Sequence, residues 1–125
     1  MAIMNKGCTV NFLANGDLSA AQYTFVIQDA ATTVAANTSS TAVGLFVLQN
    51  TPKSGECAQV VGEDETLLKT GGSVAVGAAI MSSTGGLGIT ATSGNKVQAI
   101  AREAATATGG GDIIRVQLVG PYTAT

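Results

Sequence analysis

Histidine is absent from the 125 residues of this chain. Without it no Ser-His or Cys-His pair, no imidazole base and no His-containing zinc site can be assembled, which removes most hydrolytic chemistry. Two cysteines, Cys8 and Cys57, make neither a CxxC pair nor a disulfide framework. They are expected to be buried thiols, as suits a reducing compartment. The one charge cluster is GEDE, Gly62 to Glu65. Its adjacent carboxylates, Glu63, Asp64 and Glu65, could hold Ca²⁺ or Mg²⁺ if symmetry brought copies together. The spacing is not that of an EF-hand loop, and a solvated loop is the plainer reading.

Several motif fragments fail on context. GLGITA (Gly86 to Ala91) satisfies G-x-G-x-x-A, but TSGN follows it where a dinucleotide site needs a helix, so its glycines are assigned to hairpins. KTG (Lys69 to Gly71) and SGNK (Ser93 to Lys96) match pieces of the serine β-lactamase set, in the wrong order and on a chain too short for that fold. NTS (Asn37 to Ser39) is a glycosylation sequon by letter only, since no secretion signal accompanies it. No pair of carboxylates is spaced for acid and base roles. The expectation is a protein that is not an enzyme and takes no cofactor.

Six basic against eight acidic residues give a formal net charge of −2 with no basic cluster. The electrostatic footprint of a nucleic-acid binder is therefore missing. No segment reaches the roughly 18 consecutive apolar residues of a membrane span, and MAIMNKGCTVNFLANG lacks a signal-peptide core. A soluble protein without direct nucleic-acid or membrane contact is expected.

The elements that must position these residues read as strands. Glycine, serine and threonine punctuate the chain every eight to twelve residues, and the short pieces between are β-branched and often alternating. Candidate strands are Thr9 to Leu13, Gln22 to Gln28, Val43 to Gln49, Glu56 to Val61, Ser73 to Met81, Leu87 to Ala91, Lys96 to Ala101 and Asp112 to Val119. In the last, Ile114, Val116 and Leu118 share one face and Arg115 and Gln117 the other. Lys96, Gln98 and Arg102 oppose Val97, Ala99 and Ala101 in the same way. NTPKSGE (Asn50 to Glu56) offers Pro52 and Gly55 for a turn, while STGG and TSGN read as hairpin connections. AREAATATGGG (Ala101 to Gly111) reads as a loop, and AATTVAANTSSTA (Ala30 to Ala42) as an exposed loop or an edge strand.

The fold expected is all-β: residues 1–125 as a single-domain β-sandwich or β-barrel with short hairpins and an N-terminal arm or edge strand over residues 1–25. Its apolar content is mostly Ala, Val, Ile and Leu, with five aromatics and no Trp. Fully burying a Val, Leu or Ile contributes roughly 1.5 to 3 kcal/mol and an Ala much less, so such a core gains from self-association. Three of the five aromatics, Phe12, Tyr23 and Phe25, fall near the N-terminus and are the candidate partner or subunit contacts.

The segments VGLFVLQNTPKSGECAQVV and GGSVAVGAAIMSSTGGLGITATSGNKVQAIAREAATATGGGDIIRVQLV resemble the structural cement, or head decoration, proteins of tailed bacteriophages. The likeness lies at Gly44 to Val61, Ala75 to Gly86, Gly94 to Ala105 and Gly111 to Leu118, within a best-matched core of residues 43–119. Two departures stand out: Gln98 and Ala99 replace a glycine, and GEDE stands where neutral residues are common. The resemblance implies a non-enzymatic protein that binds the outer surface of an assembled capsid and bridges copies of the major capsid protein. It would hold the shell against the pressure of packaged DNA, acting as a homotrimer, with a dimer as the alternative. The protein would be made in the bacterial host cytoplasm and end on the outside of the virion. The rival reading is a small-ligand or carbohydrate-binding β-module of a phage fibre or cell surface, which would need aromatic platforms.

Overall fold

The computed structural model describes residues 12–42 and 45–124. Every regular element among them is a strand, and the strands form two sheets, so the fold is all-β as the alternating pattern implies.

The first sheet contains β1 (Phe12–Ala14), β2 (Phe25–Ala30), β3 (Thr33–Ala36), β4 (Phe46–Leu48), β5 (Cys57–Ala58) and β6 (Val60–Val61), in the order β5-β1-β3-β2-β4-β6. β1 runs parallel to β3 and the remaining pairs are antiparallel. The two ends of that order are neighbours in the chain, separated by Gln59 alone. One short segment thus bonds to both edges, and the sheet closes into a small barrel without free edges. Asn50 builds the corner: its Nδ2 donates to the Cys57 carbonyl at 2.9 Å and its Oδ1 accepts from the Gln59 amide at 3.0 Å. On the solvent side, Asp29 accepts from the Thr33 hydroxyl and from the Asn15 amide. These bonds, the Thr33 one first, hold its carboxyl below the usual carboxylate range.

The second sheet contains β7 (Glu65–Lys69), β8 (Ala79–Ser82), β9 (Gly88–Thr90), β10 (Lys96–Ala101) and β11 (Ile113–Thr123), in the order β7-β11-β10-β8-β9. All its pairs are antiparallel. Its edges also approach each other, at a bridge between Thr70 and Gly88, where the Gly71 amide donates to the Gly88 carbonyl at 2.8 Å.

Period-two alternation explains how the sheets share a core. Along β2 and β4, Val26 and Leu48 point into the barrel, whereas Phe25 and Val47 point outward onto the second sheet. There they meet Leu68, Ile80, Val116 and the alanines of β10. Both faces are buried at these positions, whereas the far end of β2, from Gln28 to Ala30, is exposed. The sheets are further pinned by the Phe25 amide donating to the Gly86 carbonyl at 2.7 Å and by Asn37, whose Nδ2 donates to Ser82 Oγ at 2.8 Å. Asn37, the sequon residue, is therefore a buried cross-link between sheets.

Four expectations require correction. No arm is present from Phe12 onward, because β1 sits between β5 and β3 as an interior strand of the barrel. The stretch expected as loop or edge strand contains β3, which is flanked by β1 and β2. The long strand expected over Ser73 to Met81 is interrupted by Gly77, whose φ of +83° turns the chain, and regular pairing resumes at Ala79. Cys57 is disulfide-bonded, so the free-thiol reading fails there; sequence spacing alone does not show pairing. Cys8 lies outside the described residues, as do Thr9 to Asn11 of the first expected strand.

Candidate functional site

A concavity lies at the seam between the two sheets, a cleft of about 470 Å³. One wall comes from the barrel. Leu45 and Phe46 enter β4, and Gly62, Glu63 and Asp64 form the turn that leads from β6 into β7. A side chain at Gly62 would place its Cβ 2.9 Å from the Phe46 ring, so glycine is what lets the ring lie over the turn. Phe46 in turn packs on Phe12 with ring centroids 5.4 Å apart. Asp64 adopts a left-handed conformation, φ +66°, which aspartate tolerates better than most residues. Its carbonyl accepts from the Leu118 amide at 2.8 Å, and this fixes the turn against β11.

The other wall comes from an irregularity in β11. Its register with β10 passes from Ala99–Leu118 to Val97–Tyr122, so Gln98 alone stands opposite three residues, 119–121. Such a bulge bends the strand and re-aims its side chains. Residues 119–121 have no ladder partner in β10, and β7 pairs only as far as Gln117.

The bulge also explains Gln98. Alternation placed it on the exposed face, yet it is only 5% exposed. Its Nε2 donates to the Ala42 carbonyl at 3.0 Å. Its Oε1 accepts no hydrogen bond from the described residues and is not sealed from solvent, and the residue lines the cleft. Gln117, also in the lining, donates to the Leu118 carbonyl at 3.4 Å.

The charge in the cleft is of one sign. Glu63 and Asp64 line it, and among the described residues no Lys or Arg does. Glu65 turns away toward Arg115, whose Nε lies 4.0 Å from its carboxylate in an exposed pair worth little in itself. The acidic run therefore splits across two surfaces, and among the described residues no three Asp, Glu or Cys side chains gather as a metal site would require.

The three aromatics expected as contacts are not brought together on a surface. Phe12 and Phe25 are core side chains, 7% and 1% exposed, because their strands complete the barrel. Tyr23 is half-buried with φ +64°. Its amide donates to the Leu48 carbonyl and its carbonyl accepts from the Lys69 amide, each at 2.7 Å, so its backbone joins β4 to β7. A bulky aromatic is rarely found at such an angle, and these two bonds hold it there. Sequence reasoning singled out the acidic turn but missed Gln98 and the bulge. The only signal available was the unexpected glutamine where the resembled family has glycine.

Comparison with protein families, curated proteins and solved structures finds no match to this chain.

Proposed function

We propose that this chain is a non-enzymatic structural protein that binds the outer surface of an assembled bacteriophage capsid, bridges copies of the major capsid protein and stabilises the shell. The observation that carries the reading is the order and spacing of the segments resembling phage cement proteins. They fall on β4 through the barrel-closing β5 and β6, on β8 with its turn, on β10 and on β11. A likeness confined to surface loops would say less, since these segments determine how the two sheets close.

The surface is compatible with a purely associative role. Among the described residues, Leu13, Leu67, Val76, Ile113 and Tyr122 are the exposed large apolar side chains. Leu67 and Ile113 lie diagonally on the outer face of the second sheet, with Lys69 and Arg115 opposite them. Because the barrel is closed and the edges of the second sheet meet, contact with neighbours would use faces and loops more than edge-to-edge pairing. Weak contacts repeated around a homotrimer become tight attachment through effective concentration. A carbohydrate-binding module would use exposed rings, and Phe12 and Phe25 are unavailable for that role.

Mixing the purified protein with mature and immature phage shells and sedimenting them tests the proposal. Retention on shells, together with a trimer by light scattering, is the expected result. A monomer that stays in the supernatant with both shells and binds a glycan array would replace this reading with the carbohydrate-binding one.

A further inference from the structure

We propose that Asn15 is a spontaneous modification site, where the side-chain amide is lost through ring closure on the Gly16 nitrogen to leave aspartate or isoaspartate beside Asp29. The inference goes beyond the capsid reading and stands without it.

Asn15 is the only asparagine of the chain that precedes a glycine. Ring closure requires the following backbone nitrogen to reach the asparagine Cγ, and a side chain on that residue crowds the approach. Glycine has none and keeps the widest backbone freedom. The structure leaves this nitrogen accessible. Asn15 and Gly16 lie just past the end of β1, and both are exposed. Among the described residues the Gly16 amide donates to no acceptor, and a Cβ on Gly16 would meet nothing within 4 Å. The other described asparagines are held in place and precede bulkier residues. Asn37 is buried and donates to Ser82 Oγ, Asn50 uses both side-chain polar atoms at the barrel corner, and Asn95 donates to Thr92 Oγ1. Their successors are Thr38, Thr51 and Lys96.

The reaction balances with water alone. Solvent base removes the Gly16 amide proton, the nitrogen bonds to Asn15 Cγ, and the Cγ–Nδ2 bond breaks as Nδ2 leaves with a proton as ammonia. Water then opens the cyclic imide. Addition at Cγ breaks its bond to the Gly16 nitrogen and gives aspartate, whereas addition at the Asn15 main-chain carbonyl carbon gives isoaspartate, whose backbone is longer by a methylene.

The site matters because the amide is a tie. Asn15 Nδ2 donates to Asp29 Oδ2, and Asp29 also accepts from the Thr33 hydroxyl at 2.6 Å, so the end of β1 is fastened to the connection between β2 and β3. Either product replaces the donor with a second carboxylate facing Asp29, where like charges repel. It also adds a negative charge to a chain whose formal net charge is −2. The Asn15 backbone amide donates to the Val34 carbonyl at 2.8 Å, so the lengthened isoaspartate backbone falls next to the parallel pairing of β1 with β3.

The test incubates the folded full chain and the peptide acetyl-Leu-Ala-Asn-Gly-Asp-amide side by side in mildly alkaline buffer. Products are mapped by mass spectrometry and isoaspartate is counted by enzymatic methylation. Conversion at Asn15 of the folded chain should be at least tenfold faster than at any other asparagine, with isoaspartate among the products. A folded chain that keeps Asn15 intact while the peptide converts would overturn the proposal, as would conversion to aspartate alone, the mark of direct amide hydrolysis. The effect on the barrel is read from Asn15→Asp, which reproduces the aspartate product and should melt below the unmodified protein. Combining it with Asp29→Asn reverses donor and acceptor and should recover most of that loss. A single variant that melts like the unmodified protein, or a double variant that melts no higher than the single, would overturn Asp29 as the group that the modification disturbs. None of these results bears on sedimentation with shells, so the two readings fail separately.

Discussion

The barrel and the second sheet manage their edges in different ways. In the barrel, a segment of five residues, Cys57–Ala58 and Val60–Val61 with Gln59 between, bonds to both ends of the sheet, so closure is enforced by chain continuity. In the second sheet the edges are unrelated in sequence and meet only around Thr70 and Gly88. Closure by continuity makes every barrel strand indispensable, because removing one opens the ring and exposes two new edges. Closure by contact should degrade gradually. The difference also locates the cleft, which forms where the barrel-closing segment leaves for β7 and where the long β11 outruns its partner.

The largest test of this contrast is deletion of residues 1–25. It removes β1 from between β5 and β3 and takes Phe25 from the shared core. The truncated protein should be insoluble or melt without a cooperative transition by circular dichroism. A well-folded truncated protein would show that the barrel does not depend on β1, and would restore the idea of a dispensable N-terminal arm.

A smaller perturbation separates the layer that both regions share from the contact closure. Phe25→Ala empties a position that belongs to the barrel by backbone and to the second core by side chain; it should cost about 3–5 kcal/mol in urea unfolding. Gly88→Ala would bring a methyl group to 2.6 Å from Leu68 Cδ2, at the seam of the second sheet. Overpacking of that kind costs about 1–3 kcal/mol. If Gly88→Ala proved as damaging as Phe25→Ala, the contrast between the two closures would collapse.

How much of this was legible in advance depended on whether a segment's own pattern decided its place. The pattern of KVQAIA predicts β10 with its observed bounds, and the faces of β11 alternate as its residues do. β7 was not anticipated. Its TLLK follows three acids whose charge suggested a solvated loop, and its strand character comes from pairing with β11. β3 has weak propensity and is a strand because β1 and β2 flank it. Phe12 and Phe25 were misplaced because an aromatic near a turn signal reads alike as an anchor or as core until the topology is known. Gln98 depends on a bulge, and a bulge is a relation between two strands that neither sequence announces alone.

The turn between β4 and β5 gives the finest test, because it contrasts a position where the barrel sets the backbone with one where solvent does. Gly55 has φ +84°, which fits the turn that NTPKSGE offers. The surrounding chain holds it there: its amide donates to the Ala14 carbonyl at 2.9 Å, and the Glu56 carboxylate accepts from the Lys53 amide at 2.7 Å. A side chain at Gly55 would meet nothing within 4 Å, so the cost of Gly55→Val is conformational and not steric crowding, about 1–2 kcal/mol. Lys53, at the tip, is exposed, and its structural contribution there is the backbone amide. Lys53→Ala keeps that amide and should change stability by less than about 0.5 kcal/mol. Thermal melts of the two variants side by side check this. Equal stability would mean that the barrel does not constrain Gly55. A Lys53→Ala protein that melts normally yet no longer sediments with shells would instead assign the tip of this turn to the capsid contact.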